Sequence, residues 1–384
     1  MRRILEQRNR DLLHDLEVLL ELLGAAGPLP RVLLPYRDRV VQVCREQQDR
    51  VRRNMVYLDL GRDEILPDVL SNTQLALERA RLLSAQLATP VLRAAPTDAL
   101  SLSTIGWVHA QHPDTAAYPP AVADGDVGML PFVDIVPIYF FPSVEQRGLL
   151  HQPLLFDEFG HLLYARHRRE MDDLVAELQR AVDDALLPAS QRNDRHAEYQ
   201  ASRRRVIVTA WYRWTQELFC DAVGFTIGGP CFLEAFSAFL SRLVEGDFHR
   251  PPERMPGSAH PVTALRVHFL ARQAASAGFE ALAERVRREW RTIRDALGVA
   301  EEFHGSYEAV LDTTVERIVG DMLIEADPRP YTEQEASGGD WVPQRDTPVR
   351  LLNWAWQVHA SDPAGYRAWE ARQVARLADW HPNA

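Results

Sequence analysis

The run LLFDEFGHLLYA, from Leu154 to Ala165, places three ionisable side chains inside an otherwise apolar, helix-forming stretch. Apolar residues flank the polar ones on both sides, so a helix here is buried, and its carboxyls and imidazole need partners on another element. Asp157 and His161 are four residues apart, about 400° of helical rotation, and so leave the helix from one face a turn apart. Glu158 borders that face. A later helical stretch, WYRWTQELFCDAVG, carries Glu217 and Asp221 at the same spacing. Any fold this chain adopts has to satisfy these groups.

With 384 residues, 46% of them hydrophobic and 25% charged, the chain reads as a globular protein of two or three packed subregions. From Met1 to Leu23, Ile4, Leu5, Leu12, Leu13, Leu16, Leu19, Leu20 and Leu23 recur at three- and four-residue intervals, the stripe of a packed helix. Gly24, Gly27, Pro28 and Pro30 end it. Helices are also expected over 35–58 and 68–88, and three antiparallel helices are the simplest arrangement. Seven prolines between Pro96 and Pro142 then favour short strands over long helices. The segment FVDIVPIYFF, 132–141, reads as a strand, and Pro137 suits an edge position. The DEFGH helix is expected to continue to Leu187, with a polar break over 188–194. A long helix over 197–223 follows, then one ending at Val244, and SAHPVTALRV, where His260 precedes Pro261 at a helix start. The remainder is helical apart from a polar loop over 327–348, and ends in an aromatic helix bearing Trp354, Trp356 and Trp369.

Several function classes are excluded by composition. The net charge of −11 and the absence of a dense basic run beyond Arg203, Arg204 and Arg205 argue against nucleic-acid binding. The chain contains no lysine, so all 43 basic residues are arginine, and no Schiff base, P-loop or kinase lysine exists. That bias fits a GC-rich bacterial genome. Cys44, Cys220 and Cys231 form no CxxC pair, which fits a reducing cytoplasm and offers neither a disulfide framework nor a thiolate zinc knuckle. The apolar positions of the first 23 residues are interrupted by Glu, Asp and Arg, unlike a secretory leader. The most apolar later run, 222–233, is too short to span a bilayer, so no membrane association is expected.

DEFGH is one residue short of HExxH, ELFCD supplies ExxxD on a later helix, and an HP dipeptide at His260 is followed by Arg266. In this order the motifs resemble the gluzincin clan of zinc metallopeptidases, over roughly Val133 to Arg266, about a third of the chain. The resemblance implies a zincin-like core with a small mixed β-sheet, set over 91–270; with the helical regions read at 1–90 and 271–384, which lie outside the resemblance, the fold expected is mainly α (α+β). It further implies a peptide or protein substrate. Glu158 would be the general base, with His161 and Glu217 as metal ligands and Asp221 orienting His161 from behind. His260 or Arg266 would stabilise the oxyanion.

Asp157 stands where the clan has its first histidine. An Asp oxygen ligates zinc at about 2.0–2.2 Å, but its shorter side chain requires the metal or the helix to shift. With Asp157 and Glu217 both as ligands the site carries more anionic oxygen, which favours a harder ion such as Mn²⁺ over Zn²⁺. Without a metal, Asp157, Glu158 and Glu217 crowd together and one must hold a proton. His151, six residues before Asp157 and ahead of the helix start, reaches the metal only if the chain bends back, and His167, six residues after His161, points elsewhere. Three readings therefore stay open: a metal-dependent peptidase, a catalytically degenerate metallopeptidase-like scaffold that binds a protein partner, and a wholly helical interaction protein without an ancestral active site, in which Asp157, His161 and Glu217 lie far apart. Oligomeric state is not legible.

Overall fold

A computed structural model of the chain describes residues 1–95, 97–131, 136–186, 197–250, 254, 258–299, 309–343 and 345–378. The protein is mainly helical with one three-stranded mixed sheet. Two compact units divide between Arg147 and Gly148, where the sequence reading has three regions, 1–90, 91–270 and 271–384. Among the described residues no helix is long and apolar enough to cross a membrane.

In the first unit, α1 (Arg2–Ala25), α2 (Leu34–Asp59) and α3 (Leu66–Leu82) pack on one another. The α1 stripe buries Leu5, Leu12, Leu16, Leu19 and Leu23, whereas Ile4, 62% exposed, falls on the outer face. Asn9 shares the buried face. Its amide donates to Leu5 O (2.8 Å) and Thr73 Oγ1 (3.0 Å) and accepts from Asn54 (3.2 Å), so one polar knot ties all three helices. The helix expected to reach residue 88 passes through a π-helical turn, Leu83–Leu87, into the short α4 (Thr89–Leu92).

The proline-rich stretch departs from expectation. Between Asp98 and Gln111 no proline intervenes, and a 14-residue helix, α5, forms there. Leu100, Leu102, Ile105, Trp107 and Val108 bury it on several sides, as befits a core helix. The strands are β1 (Ala121–Ala123), β2 (Gly128–Pro131) and β3 (Pro137–Phe140), in the order β1-β3-β2, with β1 parallel and β2 antiparallel to β3. Strand β3 is therefore central rather than an edge. Pro137 is accommodated because it opens the strand and faces Pro131, so the position needs no backbone donor. Residues 132–135 of the expected strand lie outside the described residues. His109 on α5 meets the Tyr139 hydroxyl at 2.8 Å, and burial drives its pKa down to about 4.

The second unit holds α6 (Leu154–Arg166), α7 (Arg168–Leu186), α8 (Ala197–Gly228), α9 (Pro230–Leu240), α10 (Thr263–Ser276), α11 (Glu280–Leu297), α12 (Ala309–Ala326), α13 (Glu333–Ala336), α14 (Pro348–Ser361) and α15 (Pro363–Ala378). The helix expected to run to Leu187 is two helices, because His167 leaves helical geometry (φ −101, ψ 27) between α6 and α7. Gly229, at φ 64, makes the sharp turn from α8 to α9, where an added Cβ would lie 3.0 Å from the Tyr331 ring. Helix α9 stops at Leu240, short of Val244. The aromatic C-terminal helix is likewise two, α14 and α15, with Trp354 and Trp369 stacked edge to face at 4.8 Å. Core residues include Trp211 and Trp214 on α8 and Phe156 and Phe159 on α6.

Candidate functional site

The site begins with a glycine. At Gly160 a Cβ would fall 2.8 Å from the Cys220 Cα, so only glycine lets α6 and α8 cross this closely. The crossing brings the α6 residues Asp157, Glu158 and His161 to the α8 residues Glu217 and Asp221. Arg266 enters from α10, and His260 from the turn that precedes it. All seven residues singled out from sequence thus fall in one cluster, within one unit.

Arg266 is the centre of the arrangement. Its Nε donates to Asp221 Oδ2 (2.9 Å) and its Nη2 to Asp221 Oδ1 (2.7 Å), a two-pronged pair. The same Nη2 lies 3.3 Å from Glu217 Oε2 and 3.7 Å from Asp157 Oδ1. The guanidinium carbon sits 4.8 Å from the Phe236 ring centroid, and the residue is only 6% exposed. Burial alone would lower its pKa, but Asp221, Glu217 and Asp157 raise it instead. The charge is permanent.

The carboxyls divide by environment. Burial first, and then the charge of Asp221, holds Asp157 well above the usual carboxylate range, and the Asp157 side chain hydrogen-bonds Asp221 in the sense that favours the charged form of Asp221. Asp157 Oδ1 is buried and accepts no hydrogen bond. Burial also raises Asp221, opposed by Arg266. Glu158 rises to about 8, through burial and then the charge of Glu217. Glu217 goes the other way: burial is outweighed by the His260 hydrogen bond and by Arg266, and its pKa falls to about 2. His260 Nδ1 donates to Glu217 Oε2 at 2.7 Å, and His161 Nε2 is 3.8 Å from Glu217 Oε1. Burial lowers the His161 pKa, leaving a neutral imidazole at pH 7. The two histidine side chains, 29% and 56% exposed for His161 and His260, form the solvent-facing rim.

A metal held by Asp157, His161 and Glu217 would need three free donors around one point. Glu217 Oε2 already serves His260 and Arg266, and Asp157 Oδ1 lies 3.7 Å from the Arg266 cation. Among the described residues no group of three or more His, Cys, Asp or Glu is arranged to hold a metal ion. These donors, as they stand, do not fit a three-ligand centre. Asp221, expected to orient His161, is instead bonded to Arg266 and Asp157. Comparison with known families, curated proteins and solved structures finds no match. The chemistry of the cluster is therefore argued from its own geometry.

The two other nearby histidines lie elsewhere: the His151 ring packs on Phe239 (5.5 Å) and His167 Nδ1 is 3.7 Å from Glu325. Cys220 sits between the acidic groups, but burial and those charges push its thiol well above its usual pKa, so it is no nucleophile. Sequence reasoning missed the residues that brace the helices. Trp356 Nε1 donates to Leu150 O (3.0 Å), and Glu370 accepts the Leu149 N–H (2.7 Å), so α14 and α15 hold the lead-in to α6. Asn353 spans Gly228 O (3.0 Å) and the Cys231 N–H (2.9 Å), at the far end of α8. Asp172 accepts from Tyr164 (2.7 Å) and Tyr212 (2.8 Å), joining α6, α7 and α8. The three tryptophans of 354–369 were the only sequence signal that this region mattered.

Proposed function

We propose that the chain is a metallopeptidase-like scaffold, acting in solution in the cytoplasm, whose cleft recognises a peptide or protein segment rather than cleaving it. The observation that carries this is the position of Arg266, bonded to Asp221 and within 3.7 Å of both Glu217 and Asp157. The carboxylates that a catalytic cation would use already face a cation that cannot be lost. The groups behind the His161–His260 rim suit a polypeptide backbone. At pH 7 Glu158, with a pKa of about 8, is mostly protonated and can donate to a carbonyl. Ionised Glu217 can accept an amide N–H, and His161 and His260 flank both. Glu158 in this state is poorly placed to take a proton from water.

One observation favours a second reading, a zinc- or manganese-dependent peptidase with Glu158 as general base. His161 Nε2 and Glu217 Oε1 are 3.8 Å apart, close to the roughly 3.4 Å that two ligands of one tetrahedral zinc would show. Elemental analysis of the full chain, purified from zinc- and manganese-supplemented medium, separates the two, together with a peptide-library cleavage assay. The recognition reading expects no cleavage, whatever metal copurifies with the chain. One equivalent of metal, with cleavage abolished in Glu158→Gln while the metal is retained, would overturn it.

A further inference from the structure

We infer that Arg266 is the resident cation of this cluster, holding α6, α8 and α10 together around Asp157, Glu217 and Asp221 as a structural metal ion would, so that the site is complete without one. The inference rests on the recognition reading above and extends it to what keeps the cleft in shape. Three facts support it. From α10 the Arg266 guanidinium reaches residues of the two other helices, Asp157 on α6 and Glu217 and Asp221 on α8. Its planar fork gives two parallel bonds to Asp221 and leaves Nη2 directed at the other two carboxyls, a multi-ligand geometry that lysine cannot copy. Its other face is closed by Phe236, so the charge is fixed in place rather than free to swing to solvent. In a chain without lysine, a permanent buried cation can only be arginine.

A cation supplied by the chain has consequences that a bound ion does not. A chelator cannot extract it, and an added divalent ion finds its position filled. Removing it, in contrast, strands Asp221 and Glu217 as buried charges.

Thermal unfolding of the full chain, with and without EDTA and with and without Mn²⁺, tests this on the wild type, Arg266→Met, Arg266→Lys and the pair Arg266→Met with Asp221→Asn. The wild-type Tm is expected to stay within about 1 °C in EDTA and in Mn²⁺. Arg266→Met is expected to fall by roughly 6–20 °C. Arg266→Lys recovers only part of that, because it lacks the fork, and the double variant recovers more, because the stranded carboxylate is gone. Should Arg266→Met fail to fold, the wild-type chelator arm and Arg266→Lys still decide. A wild-type Tm that drops by several degrees in EDTA, with about one equivalent of metal in the untreated protein, overturns the inference, as does an Arg266→Met variant as stable as wild type. Failure here does not depend on cleavage: a chelator-sensitive protein without peptidase activity sinks the resident cation and leaves the recognition reading standing.

Discussion

One cluster of buried polar side chains between helices in each unit makes a comparison, because the two are built on different terms. The knot of Asn9, Asn54 and Thr73 in the first unit is neutral, and Asn9 is satisfied at 2.8 Å to Leu5 O, 3.0 Å to Thr73 and 3.2 Å to Asn54. The cluster of Asp157, Glu158, Glu217, Asp221 and Arg266 in the second is charged, holds carboxyls shifted in opposite directions, and leaves Asp157 Oδ1 without a hydrogen bond. A neutral, satisfied network fixes how helices register. A charged, incompletely satisfied one retains free energy that a ligand can use, which is why the second and not the first reads as a site.

The largest test of that contrast is Asp221→Ala, which leaves Arg266 buried without its forked partner. Unfolding in denaturant should show a loss of about 3–5 kcal/mol, because the uncompensated charge dominates. A loss under 1 kcal/mol would place both networks on the same footing.

Next is the pH dependence. Glu158 has a folded pKa of about 8, above its ordinary 4.5. Between those values the folded state binds the extra proton, so its contribution to stability is full below about 4.5 and is lost as pH rises through 8. Glu217, depressed to about 2, has the opposite sign: its contribution is present above 4.5 and is lost as pH falls toward 2. Relative to Glu158→Gln, the wild type should therefore lose stability from pH 5 to pH 8.5, by on the order of 3 kcal/mol, while His109, held down to about 4, acts in the other direction below pH 6.5 in both proteins. An equally steep decline in Glu158→Gln would remove Glu158 as its source.

Smaller again is the neutral knot. Asn9→Ala leaves the Asn54 amide without its acceptor, while Thr73 keeps its bond to Val69 O (2.7 Å), and should cost about 1–3 kcal/mol, whereas Asn9→Leu, Asn54→Leu and Thr73→Val together should be closer to neutral, since no partner is left unmet. Chemical denaturation of the single and triple variants measures the difference. A triple variant worse than the single would mean that the knot contributes more than its hydrogen bonds.

The features legible in the sequence are those whose physics is local. The α1 stripe follows from helical period, and Asp157, His161, Glu217 and Asp221 were found by four-residue spacing and apolar surroundings. The misses are non-local or depend on where a breaker falls. A count of prolines over 96–142 hid α5, although its own 14 residues contain none. The central place of β3 is not legible in the sequence, because strand order depends on pairing, and Pro137 is tolerated there through its facing partner, Pro131. The role of Arg266 was invisible for a similar reason: it meets Asp221 across 45 residues, and nothing in HPVTALR says that the guanidinium turns inward.

The brace on the site helices gives the last and smallest effect. Trp356 donates its indole N–H to Leu150 O, just before α6, across 206 residues of chain. Trp356→Phe keeps the ring packing and removes one hydrogen bond, so the cost should be about 1 kcal/mol. Global stability will barely register that, but local opening of the α6–α8 crossing should. Cys220 lies fully buried against Gly160 at that crossing, and Cys44, equally buried, lies in the first unit beside Leu16 O at 3.6 Å. Native-state alkylation followed by mass spectrometry reads both thiols in one sample. If the brace holds the crossing shut, Cys220 should label roughly fivefold faster in Trp356→Phe, the factor that 1 kcal/mol of local opening implies, while Cys44 keeps its wild-type rate. Equal acceleration of both would show a general loss of stability and no specific hold on the site; no change at Cys220 would show that α6 keeps its place without Trp356.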